Sequence, residues 1–248
     1  MKRQQYFIGV DGGGTKCKVR LESADGQIIG EGLSGPANPV QGVRSAIDSI
    51  LDACKQAIDN AGLEGTNLRQ CHAVCVLAGV NLPELKQQLE CWQHPFANCH
   101  ITTDLHIACL GAHGGDDGAV LIAGTGFNAG AVRRQNYMEI AGHGFILGDN
   151  GSGARLGVEA LRTALEYLDG IRENSPLIKA VISGFQGKNA SLIVQQAINQ
   201  TPGYYAEFAP LVFEYANQGD PTAIEIVQKV ASFIDKITQR IQLERPER

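Results

Sequence analysis

The stretch Tyr6-Phe-Ile-Gly-Val-Asp11-Gly-Gly-Gly-Thr15-Lys16-Cys-Lys-Val-Arg-Leu-Glu-Ser23 says more about the fold than any other part of the chain. A short apolar run ends at Asp11, three glycines follow, and apolar alternation resumes after Lys16. That order spells strand, tight turn, strand. Glycine tolerates backbone angles and close approaches that a β-carbon forbids. Consecutive exposed amides at such a turn form a concave donor site for anions. A second segment repeats the arrangement: Ala119-Val-Leu-Ile-Ala123 runs into Gly124-Thr125-Gly126 and then Phe127–Arg133. One such turn is most simply a chain reversal. Two, each at the head of its own apolar strand, read as a pair of phosphate clamps.

Around the first hairpin, Asp25-Gly26 turns the chain into a third strand, Gln27–Leu33, and Gly35-Pro36-Ala37-Asn38-Pro39 breaks the pattern. Apolar residues recur at helical spacing from Val43 to Ala61, with Gly62 as the stop. His72–Ala78 reads as an apolar strand and Pro83 to about Trp92 as a helix. His100–Thr103 is a short strand running into a helix over Asp104–Ala112. The first ~115 residues therefore read βββαβαβα, helices on a mixed sheet. After Gly114–Gly118 strands begin again at 119–124, 127–133 and 137–141. From Gly153 the chain is helical: Ala154–Leu168, Pro176–Phe185, Ala190–Ile198, Tyr204–Asn217 and Pro221 to about Leu243. The expectation is two α/β lobes, 1–115 and 116–248, with a ligand in the cleft between them.

Composition narrows the function classes. Of 248 residues, 30 are glycine, about 12% against the roughly 7% of an average chain, and most of the informative ones fall at 12–14, 124–126 and 142–153. A net charge of −5 argues against a sequence-independent nucleic-acid binder, which needs a basic face. No apolar run approaches the ~20 residues of a membrane span, and the opening lacks the apolar core of a signal peptide. Seven cysteines at irregular spacing, with no C-x-x-C pair, read as reduced, mostly buried thiols of a cytoplasmic protein. No segment matches the G-x-x-x-x-G-K-[ST] phosphate loop. Gly124-Thr-Gly126-Phe-Asn-Ala129 satisfies the dinucleotide pattern, but a strand and not a helix follows it, which sets the Rossmann reading aside.

The motifs Asp11-Gly-Gly-Gly-Thr15-Lys16, Thr102-Thr103-Asp104, Gly124-Thr125-Gly126 and Gly148-Asp149-Asn-Gly-Ser152-Gly153 occur in the order seen in sugar kinases of the actin/hexokinase/Hsp70 superfamily. More narrowly, the chain resembles the glucosamine and N-acetylglucosamine kinase branch of the BadF/BadG/BcrA/BcrD ATPase family. Ser34-Gly-Pro-Ala-Asn38, Leu77-Ala78-Gly79, Ala108–His113 and Asp169-Gly-Ile-Arg172 add to that likeness, which runs from Tyr6 to about residue 240. It implies two ribonuclease H-like lobes of the actin-like ATPase architecture around an interlobe cleft.

The resemblance also implies roles. The amides of Gly12, Gly13, Gly14 and Thr15, the Thr15 hydroxyl and Lys16 would hold the β- and γ-phosphates of ATP, with Gly124, Thr125 and Gly126 contacting phosphates from the second lobe. Asp11 would hold Mg²⁺, through water since magnesium keeps much of its hydration shell. Asp104 would be the general base for the sugar's 6-hydroxyl; at the strand–helix junction it could also serve as N-cap, and the helix dipole should keep it ionised. Asn38, Asn128, Gly148 and Asp149 match sugar-contacting positions, although Asn38 and Asp149 also suit plain turns.

Three departures bear on the substrate. His143 stands where N-acetylglucosamine kinases often carry tryptophan, Ala78 where some carry serine, and Asn150 where an acid is common. They tilt the reading towards free glucosamine over N-acetylglucosamine. The other readings are a non-catalytic sugar sensor and an ATPase activator of a reductase holding an iron–sulfur cluster. The Gln-rich last helices read as packing or as a homodimer surface. The family's Gly-Gly adenosine motif has no counterpart before Arg248, so the second lobe is expected to be truncated and the chain alone to bind ATP poorly.

Overall fold

The computed structural model describes residues 5–63, 68–186 and 189–243. Residues 244–248, where the adenosine motif is expected, lie outside them. The chain forms two compact units, Met1–Ala108 and Cys109–Arg248, divided inside the helix that begins at Asp104. The expected boundary lay at residue 115.

The first unit contains β1 (Tyr6–Gly12), β2 (Cys17–Ser23), β3 (Ile28–Ser34), α1 (Val43–Asn60), β4 (Cys71–Leu77), α2 (Pro83–Glu90), β5 (Asn98–Thr102) and the start of α3 (Asp104–Ala112). Its sheet runs β3-β2-β1-β4-β5. β1–β2 and β2–β3 pair antiparallel, β1–β4 and β4–β5 parallel. Alternation along β1 buries Tyr6, Ile8, Val10 and Gly12 and leaves Asp11 exposed, because successive side chains leave opposite faces of a strand. α1 covers the sheet with Ala46, Ile50, Ala53, Cys54, Ala57 and Ile58. It comes close because β3 carries glycine beneath it. A methyl on Gly30 would lie 2.0 Å from the Ala57 carbonyl oxygen, and one on Gly32 would lie 1.9 Å from that of Ala53.

All seven cysteines are free thiols. Cys17, Cys54, Cys71 and Cys75 are buried in the first unit's core, and Cys75 Sγ lies 3.8 Å from Cys99 Sγ. Burial, then the Asp11 charge, pushes the Cys17 thiol up to about 11, which makes it unreactive at neutral pH. Phe96 is buried in the same core with Trp92 edge-on to it at 6.0 Å, so this aromatic cluster is packing.

The second unit opens with an antiparallel sheet, β6 (Gly118–Ala123), β7 (Phe127–Arg133) and β8 (Asn136–Ala141), in the order β6-β7-β8. The helices α4 (Gly153–Leu168), α5 (Pro176–Ser183), α6 (Ala190–Ala197), α7 (Pro202–Ala206), α8 (Ala209–Asn217) and α9 (Pro221–Leu243) follow. The single helix expected over 204–217 is two. Pro210 in the first turn of α8 lacks an N–H to continue the α7 ladder, a loss tolerated at a helix start and not inside a helix. α4, α5, α6, α8 and α9 share one core; Phe127, Ala129 and Ala131 of β7 share another with Ile237 and Ile241 of α9. Buried Asp220 joins α5 to α9: Oδ2 accepts from Leu177 N and Oδ1 from Ala223 N, each at 2.9 Å. Among the described residues no helix is long and apolar enough to cross a membrane.

Candidate functional site

The first hairpin is stitched into its unit through its carbonyls. Gly12 O accepts from Ala78 N (3.0 Å), Gly13 O from Ala37 N (3.0 Å) and Gly14 O from Gln41 Nε2 (3.2 Å). The ends of β1 and β4 and the loop after β3 are thereby tied together. Gly12 must be glycine for this: a methyl there would meet Leu77 Cδ2 at 2.5 Å and Ala37 Cβ at 3.0 Å, and both neighbours are buried. With the carbonyls turned inward, the tip amides face outward. Gly13 N–H closes the turn on Lys16 O at 2.9 Å, whereas the N–H groups of Gly14, Thr15 and Lys16 have no partner among the described residues. The available donors are therefore Gly14, Thr15 and Lys16, not Gly12 to Thr15 as expected. Gly12 sits within the sheet opposite Cys17 and Leu77, and Gly13 has spent its amide on the turn.

Asn38 adopts the turn that its flanking prolines suggest. Its Oδ1 accepts from Val40 N at 2.9 Å and caps a short 3₁₀ turn over Pro39–Gln41. Its Nδ2 points towards the hairpin, 3.9 Å from where a methyl on Gly14 would stand, and bonds to none of the described residues.

Asp104 is the first residue of α3, not its cap. Thr103 fills that role, its Oγ1 accepting from His106 N at 3.3 Å and its carbonyl from Ile107 N at 3.3 Å. Thr102 Oγ1 and His106 Nδ1 share a 2.6 Å hydrogen bond that braces the junction from the strand side. Burial lowers the His106 pKa, with His100 and Lys86 adding to the effect, so this imidazole is neutral at pH 7. Thr103→Ala should cost about 1 kcal/mol of stability, the usual worth of such a cap, read as a lower urea midpoint with unchanged slope.

The environment of Asp104 acts against the helix dipole. Its side chain has an exposed surface, yet the protein packed around the carboxyl raises its pKa, and the charge of Asp11 adds to the rise. The helix dipole does not prevail, since desolvation and a like charge both disfavour the carboxylate. A raised pKa makes Asp104 a better proton acceptor than a free aspartate.

In the second unit, Gly124-Thr125-Gly126 joins β6 to β7. Gly124 N–H bonds to Gly126 O at 2.9 Å, and the carbonyls of Gly124 and Thr125 accept from Gly153 N (2.8 Å) and Ala154 N (3.4 Å) at the start of α4. Ser152 completes that terminus, its Oγ accepting from Arg155 N at 3.1 Å. The N–H groups of Thr125 and Gly126 keep no partner among the described residues.

Asp149 lies at φ 54°, a left-handed backbone that costs a β-carbon residue on the order of 1 kcal/mol. It is only 9% exposed, and its carboxylate accepts no hydrogen bond from the described residues. Its Oδ2 stands 3.1 Å from where a methyl on Gly126 would be, so the second hairpin and this carboxylate are neighbours. Gly148 holds the loop closed through its N–H to Gly144 O at 2.7 Å.

Asn128 is more engaged than its sequence suggests. Nδ2 donates to Glu139 Oε1 at 2.9 Å, Oδ1 accepts from Ala129 N at 2.9 Å, and Tyr137 OH donates to Glu139 Oε2 at 3.3 Å. Glu139, which orients Asn128, escaped the sequence reading, as did Gln41 and the capping role of Thr103. Nothing in the spacing of a lone strand glutamate points to an asparagine on the neighbouring strand. Among the described residues no three His, Cys, Asp or Glu side chains gather to hold a metal.

The crystal structure of a Chromobacterium violaceum protein, provisionally named an N-acetylglucosamine kinase, matches with a TM-score of 0.71 and 30% identity, covering 97% of this chain and 84% of that one. The fold is that of the actin-like α/β sugar kinases. The model of the BadF/BadG/BcrA/BcrD ATPase family matches residues 8–247, and the chain belongs to that family. Among curated relatives, the glucosamine kinase GspK of Vibrio cholerae is 36% identical over 230 residues, 93% of this chain and 78% of its own length. The N-acetylmuramic acid/N-acetylglucosamine kinase of Clostridium acetobutylicum is 28% identical over 170 residues, 66% of this chain and 55% of its own.

Proposed function

We propose that the chain is an ATP-dependent amino-sugar kinase that phosphorylates glucosamine at its 6-hydroxyl. The observation that carries this reading is 36% identity to a glucosamine kinase across 93% of the chain. Phosphoryl transfer asks a protein chiefly to position the reactants and neutralise charge. The unpartnered amides of Gly14, Thr15 and Lys16, the Thr15 hydroxyl and the Lys16 ammonium are the donors for the β- and γ-phosphates of ATP, and Gly124 to Gly126 supply more. Asp11, an exposed carboxylate at a strand end, fits the outer shell of a hydrated Mg²⁺, which would offset phosphate charge. Asp104 accepts the proton of the sugar 6-hydroxyl as O6 bonds to the γ-phosphorus and the bond to ADP breaks.

Asn38, Asn128, Gly148 and Asp149 bind the sugar. Asn38 offers an unused N–H₂, and Asp149 an unpartnered carboxylate suited to the ammonium of glucosamine. The absence of tryptophan at His143 and of serine at Ala78 removes contacts that an N-acetyl group would use. Glu139 acts through Asn128, so Glu139→Ala should raise the KM for sugar about tenfold with kcat and Tm little changed.

ADP release coupled to a panel of amino sugars tests the assignment. Glucosamine should be preferred over N-acetylglucosamine by at least about tenfold in kcat/KM, and 6-deoxyglucosamine should give no product. Sugar binding with no sugar-dependent ADP release from any member would favour the sensor reading. Turnover at micromolar ATP would remove the expectation of weak nucleotide binding.

A further inference from the structure

We propose that the second unit holds a separate binding site for an amphipathic monocarboxylate, an anion with an aliphatic body. A pocket of about 420 Å³ opens between the segment Phe145–Ile146, α4 and α6, within the roughly 300–1,000 Å³ typical of small-molecule sites. Phe145, Val158, Leu161, Val194 and Ile198 form its walls. Val194 and Ile198 are 41% and 58% exposed, an apolar surface at the end of α6 and just beyond it that water covers unless a ligand does.

The charge at the rim selects the ligand. Arg155 and Arg162, two turns apart on α4, both line the pocket. The anion between them is Glu159, whose Oε1 is 3.4 Å from Arg155 Nε and 3.3 Å from Arg162 Nη1. Its Oε2 is already taken by Lys229 Nζ at 2.9 Å. Three cations thus share one buried carboxylate; Lys229 also feels Glu225, which with Glu166 holds Arg172, so these four cations and three carboxylates leave one positive charge in excess. The Arg162 side chain is 59% exposed, and its contact with Glu159 runs through Nη1, one nitrogen of a guanidinium with five N–H donors, so donors remain. A neutral apolar ligand would leave that excess uncompensated beside it. A carboxylate with an aliphatic tail fills the walls and supplies the missing anion through charge-assisted hydrogen bonds. None of these residues belongs to the phosphate, base or sugar positions described above, so the proposal stands whether or not the kinase reading does.

Isothermal titration of the 248-residue chain with decanoate, kept below micelle-forming concentration, tests it. One-to-one binding with Kd on the order of 10–100 μM is expected from the ligand's size. Decanol, with the same tail and no charge, should bind at least about tenfold more weakly. Arg162→Gln should weaken decanoate about fivefold, and Val194→Asp about twentyfold by placing a charge in the wall. Ile198→Asp provides a second wall variant should Val194→Asp lower Tm. No binding heat, decanol binding as tightly as decanoate, or full affinity in a wall variant of unchanged Tm would each overturn the proposal. Tighter binding of decyl phosphate than decanoate would overturn the assignment to carboxylates.

Discussion

Asp104→Asn should lower kcat by about a thousandfold, in the middle of the range for loss of a positioned general base, with the KM for sugar within about twofold. Asparagine keeps the shape and the helix position, and Thr103, not residue 104, caps α3, so the loss would be chemical. The reaction needs the carboxylate, so kcat/KM should fall as pH drops through the raised pKa of Asp104. Asp11→Asn should move that limb to lower pH, because the Asp11 charge contributes to the rise. Stability runs the other way. A folded-state pKa above the unfolded one means the stabilising contribution is present at low pH and is lost as pH rises through the folded value. Asparagine mimics the protonated form, so above that value the variant should melt no lower than the parent. Activity within about tenfold of the parent would remove Asp104 from the base role.

Gly32→Ala should destabilise the protein by at least about 3 kcal/mol, among the larger effects of a single methyl in a packed interior. The added carbon would sit 1.9 Å from the Ala53 carbonyl oxygen and 3.0 Å from Ala57 N, so α1 would have to leave β3. Both obstacles are backbone and cannot rotate away as a side chain would. The urea midpoint should drop by about 1.5 M at ordinary slope. Gly9→Ala supplies the control: its β-carbon would meet nothing within 4 Å, and the change should stay within about 0.5 kcal/mol. Equal midpoints for the two variants would show that α1 yields, and the close approach would then carry little energy.

The hairpins show where legibility in the sequence ends. Asp11-Gly-Gly-Gly-Thr15 after an apolar strand names a turn, because strand period and glycine tolerance are local properties. Which amides the turn leaves free is not local. Gly13 spends its N–H on Lys16, and the carbonyls of Gly12, Gly13 and Gly14 are claimed from positions 78, 37 and 41. The same holds for α7 and α8, where helical apolar spacing ran on through Pro210 but the backbone did not. Asp104 was found by its motif. Its capping role was misassigned because Thr103 and Asp104 are both good cap formers, and only backbone geometry separates them.

The order of strands and helices apart from the break between α7 and α8, the two glycine turns and the family were all legible in the amino-acid sequence. Each of these rests on residue type and on spacing along the chain. Tertiary structure alone decided which donors face outward, that Asp104 is a raised and not a depressed carboxyl, and that Glu139 orients Asn128. It also placed three cations around Glu159. Hydrogen bonding, desolvation and Coulomb interactions act through space between groups far apart in the chain, 93 positions between Asp11 and Asp104 and 108 between Arg133 and Ile241, and sequence spacing carries no record of those distances.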